Sequence, residues 1–344
     1  MGAIKGSKYR GIKKNKPPLI ISEISGNHNG KKNRFLKLIK SAIKNGADLI
    51  KIQTYEPKDI TLKSSKNFYK IKKGAWKNRT LWDLYSEAHT PFAWHKEAFK
   101  LAKKHKKIIF SSPFSVRAVD HLEKLKCPIY KIASFEITDF KLIDYIASRK
   151  KKIILSTGMS TISEIKKAIK DIKKYHNNIV ILHCISDYPT KIKNSNLKKI
   201  LHLKKMFPNY EIGLSDHTNG IATSIIASNY GVSYIEKHFN LDDLKTADSS
   251  FSIKPDQLKE LSDAISYLFN KSKRKDPVRK KNIFLRRSIF SAKDIKKNEI
   301  ITEEKINTLR PRIGICASQY FKILNKKALK SIKKNQPIFF SDIK

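Results

Sequence analysis

Cysteine is scarce. The three cysteines, at 127, 184 and 316, are too few and too far apart for a disulfide framework or for metal-ligand spacing. A reducing compartment follows as the expectation, with the cytoplasm as the expected location. No apolar run approaches the ~18 to 20 residues a membrane helix needs, so no membrane partner is expected. The opening residues, MGAIKGSKYRGIKKNK, carry charge but no apolar h-region, so no secretory signal is expected. Gly6 stands where a myristoylation motif wants Ser or Thr. Acidic residues are also few: 30 Asp plus Glu face 73 Lys plus Arg, a formal net charge of +43. Such an excess usually points to nucleic acid or an anionic surface. Here the lysines spread through nearly every helix and loop. There is no RNA-binding signature, no zinc pattern and no basic stripe interleaved with aromatics. No nucleic-acid partner is therefore expected. The one dense run, KSKRKDPVRKK at 271–281, reads as a solvated linker, with a polyanion site as the other reading. A small anionic substrate would gain from the positive field.

What is present is a large apolar complement. Hydrophobic residues make up 40% and aromatics 10% of 344 residues, enough for a substantial core and roughly two domains. Eight short β-branched runs end in polar residues: 18–24, 48–53, 107–112, 129–134, 152–157, 178–184, 211–216 and 233–239. Amphipathic stretches such as NRFLKLIKSAIKNG and TISEIKKAIKDIKKY lie between them, with apolar positions at helical spacing. Eight strand–helix units in about 250 residues is the arithmetic of a (β/α)8 TIM barrel. A doubly wound open sheet is the other α/β solution, but the Gly-rich dinucleotide turn after the first strand is missing. The long segment 54–90, with Trp76, Trp82 and Tyr85, reads as an excursion over the barrel mouth. The chain divides as an extension at 1–17, a barrel at 18–270, a basic linker at 271–285 and a small module at 286–344. That module echoes itself: IKKNEIITEEKI (295–306) aligns with IKKNQPIFFSDI (332–343) at an offset of 37. Asn298 and Asn335 are expected at tight turns that need the left-handed conformation.

A barrel carries its site at the carboxyl ends of the strands. Those ends read Glu23, Lys51 with Gln53, Ser111 with Ser112, Lys131 with Ser134 and Glu136, Ser156, His183 with Ser186, Ser215 with His217, then His238. Two readings of the histidines stand at this point. His217 and His238 follow neighbouring strands, and two neutral imidazoles with water and a substrate oxygen would suit an octahedral divalent ion such as Mn²⁺. Alternatively, each satisfies a core hydrogen bond. Lys51 and Lys131 are costly in a barrel mouth unless an anion or carboxylate meets them. They form either a clamp for a phosphate and carboxylate, helped by helix N-termini after Ser134 and Ser156, or buried pairs with Glu23 or Glu136. A Schiff-base aldolase lysine is a third possibility.

The motifs EISGNHNG (23–30), KIQTY (51–55), TLWDLYSEAHTP (80–91), FSSPF (110–114), YKIASFE (130–136), LSTGM (155–159), GLSDHT (213–218) and IEKHF (235–239) resemble the sialic acid (nonulosonic acid) synthase family. The likeness runs in order from about residue 18 to the C-terminus, and EAHTPFAWHKEAF with KIASFEITDFKLI is closest to its pseudaminate branch. The 286–344 module resembles that family's antifreeze-like (SAF, β-clip) domain. The resemblance implies condensation of phosphoenolpyruvate with the open-chain aldehyde of an amino sugar. It implies that His217 and His238 hold a divalent metal, Mn²⁺ with Mg²⁺ or Co²⁺ as options. Lys51, Lys131, Ser134, Ser156 and Ser215, with Ser112 added, match residues that contact phosphoenolpyruvate. Glu23 matches the acidic residue near the reacting centre and is the expected catalytic carboxylate, either orienting its neighbours or handling a proton and activating the water. Gln53, Tyr188 and Asp248 match metal-side or sugar-side positions, and Glu136 and Ser186 join the expected substrate contacts. Arg310 matches an arginine that reaches the other subunit's site, which implies a domain-swapped homodimer. Departures are Asn298 and Asn335 where the family often has Gly, Arg312 for a Gly after the RP pair, and Ser186 where sialate synthases often carry Asn.

Overall fold

The computed structural model describes residues 16–269 and 282–344. They belong to two compact units, Met1–Asn270 and Lys271–Lys344. Residues 1–15 of the expected extension and the basic run at 271–281 lie outside the described residues.

All eight runs form strands: β1 Leu19–Glu23, β2 Leu49–Thr54, β3 Ile108–Pro113, β4 Ile129–Ile132, β5 Lys152–Ser156, β6 Ile179–Cys184, β7 Glu211–Asp216 and β8 Tyr234–His238. They pair in parallel, in sequence order, and close into a barrel. Across the closing seam Ile20 faces Ile235 and Glu23 faces His238. Ile, Leu and Val fill both faces of the strands because side chains of the barrel interior cover one face and helices the other. The covering helices are α1 Lys32–Lys44, α2 Leu81–Ala88, α3 Phe92–Lys104, α4 Val116–Lys124, α5 Phe140–Ala147, α6 Ile162–Ile172, α7 Lys198–Met206, α8 Ala222–Asn229 and α9 Pro255–Phe269. In α1 the buried residues are Phe35, Leu38, Ile39 and Ala42, the three- and four-residue spacing of one helical face.

The helix starts refine one expectation: a single 3-10 turn, Ser134–Glu136, begins at Ser134, and the longer helices follow further on. Ser134 and Ser156 do not open α5 and α6. Those helices begin several residues later and are capped by the side chains of Asp139 and Thr161. Thr161 accepts from the Glu164 amide at 3.2 Å while Glu164 accepts from the Thr161 amide at 2.7 Å, a reciprocal box that satisfies two orphan donors. The strand-end serines are engaged inside the mouth, so loops carry the chain out to the helical layer.

The second unit confirms the echo in three dimensions. β9 (Ser288–Ser291) and β10 (Ile306–Leu309) pair antiparallel. Ile295 and Ile332, equivalent by the offset of 37, exchange backbone hydrogen bonds of 2.8 Å. Three isoleucines of one copy (295, 301, 306) and their equivalents in the other (332, 338, 343) share one buried cluster. Asn298 (φ 68°) and Asn335 (φ 63°) adopt the left-handed turn, which Asn tolerates better than other residues with a Cβ.

Candidate active site

The barrel mouth opens into one cavity, and most of the expected residues line it. Lys51, Gln53, Ser112, Lys131, Ser134, Glu136, Ser156, Tyr188, Ser215, His217, His238 and Asp248 are all there. Strict alternation explains who is included. Ser112 faces inward; its neighbour Ser111 points out of the barrel and bonds the Thr54 hydroxyl at 2.6 Å. His183 also points away, its Nε2 2.8 Å from the Ser195 carbonyl. Of the rim residues, these two are therefore structural.

The lysine end of the cavity is built by β2, β4 and β5. The Lys131 ammonium donates to the Ser156 hydroxyl at 2.6 Å and stands 3.8 Å from Glu236. Burial pulls its pKa down to about 8, against the opposing pull of Glu236. Lys51 is more fully committed: it lies 3.0 Å from Glu23 and 2.9 Å from Glu236. Burial would discharge it, but the two carboxylates outweigh burial and raise its pKa. The paired alternative thus describes Lys51 through Glu23, whereas Lys131 pairs with neither Glu23 nor Glu136. The Ser112 hydroxyl is buried without a hydrogen-bond partner. Ser134 is braced differently, accepting from the Gly158 amide at 3.0 Å. A Cβ on Gly158 would come within 2.1 Å of the Ser186 hydroxyl, so a larger residue there would push the Ser186 side chain aside. Ser186 packs behind that loop and does not line the cavity.

Two carboxylates require comment. Glu23 is fully buried but does not line the cavity; it sits behind Lys51, and burial pushes its pKa up to about 7. Glu236, absent from the sequence expectations, does line it. It accepts from the Ser215 hydroxyl at 2.9 Å. Burial would raise its pKa, but Lys131 and Lys51 outweigh that and hold it at about 2. The signal was available: Glu236 is two residues before His238 and shares its face. Glu136 lines the cavity with Oε2 unpaired, and burial pushes its pKa up to about 7.

At the other end, the rings of His217 and His238 lie 5.4 Å apart. The His217 Nδ1 donates to the Ile185 carbonyl at 3.0 Å, so the lone pair of the neutral ring sits on Nε2; burial favours that neutral form, but Cys184 and the carbonyl outweigh burial and raise the pKa. Burial and the neighbouring cations hold His238 well below its usual pKa, so it is a neutral imidazole. Its Nδ1 is buried without a hydrogen-bond partner, 3.8 Å from an oxygen of Asp248. The unpartnered Nδ1 of neutral His238 and, once its ring is deprotonated, the Nε2 of His217 suit a borderline divalent ion. Among the described residues no group of three or more His, Cys, Asp or Glu is arranged to hold a metal, so these two imidazoles are the candidate ligands. Cys184, also missed from sequence, lies beside them, its sulfur 3.8 Å from His217 Nδ1.

Aromatic residues roof this end. Tyr188 packs on His217 at 4.3 Å and on Trp76 at 5.2 Å, and Phe251 packs on His238 at 4.8 Å. Trp76 is pinned by its indole N–H to the Ala247 carbonyl at 2.6 Å. The excursion therefore covers the mouth through Trp76 and Tyr85, while Trp82 stays off the lining. Arg310 belongs to the second unit, where it is exposed.

The sequence profile of the NeuB family matches residues 38–276, and that of the SAF domain matches 286–344. The chain belongs to the NeuB family. A pseudaminic acid synthase of Helicobacter pylori is 42% identical over 334 residues, covering 95% of this chain and 98% of that protein. An N,N'-diacetyllegionaminic acid synthase of Campylobacter jejuni is 38% identical, covering 94% and 99%. The crystal structure of an N-acetylneuraminic acid synthetase from Leptospira borgpetersenii in complex with citrate superposes with a TM-score of 0.67 at 28% identity, covering 78% of this chain and 91% of that one. For this NeuB family chain the closed eight-stranded barrel and the terminal SAF domain agree with the fold expected from sequence.

Proposed function

We propose that this chain is a pseudaminic acid synthase, condensing phosphoenolpyruvate with the open-chain aldehyde of 2,4-diacetamido-2,4,6-trideoxy-altrose. The observation that carries the reading is the convergence, in one cavity, of the Lys131–Ser156 pair and the His217–His238 pair. Identity to pseudaminic acid synthases over nearly the whole chain supports the choice of sugar. An N-acetylneuraminate or legionaminate synthase would use the same machinery.

The phosphate and carboxylate of phosphoenolpyruvate would be held by Lys131, Lys51 and the hydroxyls of Ser112, Ser134, Ser156 and Ser215. Holding both reactants in register is worth up to ~7 to 11 kcal/mol of the barrier. The methylene carbon forms the new bond to the aldehyde carbon, water adds at C2, and C–O cleavage at C2 releases phosphate. A divalent ion on His217 and His238, most simply Mn²⁺, would supply Lewis-acid polarisation of the aldehyde oxygen. Glu136, with a pKa near neutrality, offers a carboxyl that can exchange a proton with a bound hydroxyl. Glu23 is placed to act through Lys51. Asp248, Gln53 and Tyr188 stand at the imidazole end, where the sugar would lie. Arg310 would complete the site from a second copy; exposed Phe284, Leu309 and Ile313 in the same unit are apolar material for such an interface.

The test is phosphate release from phosphoenolpyruvate with a panel of amino sugars, with and without Mn²⁺. Release with the diacetamido altrose alone supports the assignment. Release only with N-acetylmannosamine or a legionaminate precursor reassigns the sugar. The lowered pKa of Lys131 is the one observation that favours a Schiff-base aldolase. Borohydride with substrate would trap a lysine adduct in that case and none in the proposed reaction.

A further inference from the structure

β7 and β8 end in the same alternation. Ser215 and His217 line the cavity, as do Glu236 and His238. The intervening Asp216 and Lys237 are direct cross-strand partners and take no part in the lining. Their side chains form an ion pair of 3.1 Å, and both residues are almost fully buried, at 3% and 1% exposure. The Asp216 carboxylate is saturated. Oδ1 accepts from the Thr218 amide at 2.9 Å and the Thr218 hydroxyl at 2.8 Å. Oδ2 accepts from the hydroxyls of Thr223 at 2.7 Å and Ser224 at 2.6 Å, both on α8. Lys237 also donates to the Thr218 carbonyl.

A buried ion pair is a poor source of stability. Desolvation of two charges offsets their attraction, and apolar residues of similar volume are often as stable. What this pair does provide is position. Asp216 immediately precedes His217, and Thr218 immediately follows it, so the network grips that histidine's backbone on both sides. Lys237 immediately precedes His238. The two histidine carbonyls are themselves tied, His217 by the Thr190 amide at 2.9 Å and His238 by the Ile253 amide at 2.8 Å. We propose that the Asp216–Lys237 pair, with Thr218, Thr223 and Ser224, positions His217 and His238 at the separation a divalent cation requires. These are positioning residues, since none of them touches the cavity. The inference rests on the metal reading above, and groups behind a ligand shell commonly shift metal affinity 10- to 100-fold.

The test uses the full-length chain stripped of metal. Calorimetry measures Mn²⁺ binding, a second titration in chelator measures phosphoenolpyruvate binding, and thermal melting reports the fold. The double variant Asp216→Leu/Lys237→Met removes both charges at similar volume. It is expected to fold with a lowered melting temperature, because the amide and hydroxyls that donate to Asp216 lose their acceptor, to bind Mn²⁺ at least about tenfold more weakly, and to keep phosphoenolpyruvate affinity within about twofold. Wild-type Mn²⁺ affinity in the folded double variant overturns the proposal. So does an equal loss of Mn²⁺ and phosphoenolpyruvate affinity, which marks a general folding role. If the double variant does not fold, Thr223→Val and Ser224→Ala decide: each removes one hydroxyl from the carboxylate. Selective weakening of Mn²⁺ binding supports the proposal, and unchanged binding overturns it. A wild-type chain that binds no divalent ion overturns the metal reading and this inference together; wild-type binding with indifferent variants overturns this inference alone.

Discussion

Lys131 donates to Ser156 across the β4–β5 seam over 2.6 Å, and no carboxylate lies closer to its ammonium than the 3.8 Å of Glu236. A buried cation this lightly neutralised is primed for an incoming anion. Burial sets its pKa at about 8 in the free protein. On the proposed reading the protonated form binds phosphoenolpyruvate, so kcat/KM for that substrate should fall as pH rises through about 8. A bound phosphate pulls the ammonium back into its charged form, so kcat at saturation should stay level over the same range. Lys131→Met should abolish this alkaline limb and lower kcat/KM for phosphoenolpyruvate by about 10²-fold, the value of a lost charge-assisted contact. A pH series of initial rates with phosphoenolpyruvate as the varied substrate checks both.

Glu23 permits a stability test. Its folded pKa of about 7 lies above the ordinary carboxylate value of 4.5 because burial disfavours the charge. The folded state therefore holds a proton that the unfolded state has lost between these two values. That contribution is complete below about pH 4.5 and disappears as pH rises through about 7. Glu23→Gln carries no titrating group. The melting temperature of the variant minus that of the wild type should therefore climb between about pH 5 and 7 and level off above. Scanning fluorimetry across that range reads the slope. A flat difference would mean that Glu23 stays ionised beside Lys51.

These groups also show how far the sequence could be read. Eight β-branched runs ending in polar residues made the strands legible, because a strand buried on both faces has no other way to be written. Which strand-end side chain enters the mouth was less so. FSS at 110–112 offers two serines, and only the register decides that Ser112 faces in. Glu236 was hidden for a related reason: in IEKH a carboxylate beside a lysine reads as a local pair, yet Glu236 meets Lys51 on another strand while Lys237 meets Asp216. How far each helix starts beyond its strand was not legible, because a strand-end serine looks the same whether it caps a helix or bonds a lysine.

Trp76 tests which substrate the proposed reading places at the imidazole end. It packs on Tyr188 and Phe251 at the imidazole end and is tethered to Ala247, one residue before Asp248. Trp76→Ala should raise the sugar KM roughly tenfold or more, the scale of lost apolar pocket contacts, and leave the phosphoenolpyruvate KM nearly unchanged. Trp76→Phe keeps the ring contact and loses the indole hydrogen bond, so it should fall between. Steady-state kinetics with each substrate varied in turn distinguishes a sugar-side roof from a general lid, which would move both constants.

Arg310 gives the sharpest test of assembly. It is exposed in the second unit, and the barrel cavity lacks any arginine among its lining residues. If each site takes its arginine from the other copy, Arg310→Ala and His238→Ala should each be inactive alone but should complement when mixed. In a mixed dimer, the intact barrel of the Arg310→Ala chain receives the arginine of the His238→Ala chain, while the other barrel stays dead. Half the dimers are mixed at random, and each holds one working site of two. Activity should therefore recover to about a quarter of wild type after co-refolding or subunit exchange. Light scattering on the same sample gives the dimer mass. An arginine that serves its own barrel gives no recovery at any mixing ratio, because no chain then carries both the histidine and the arginine.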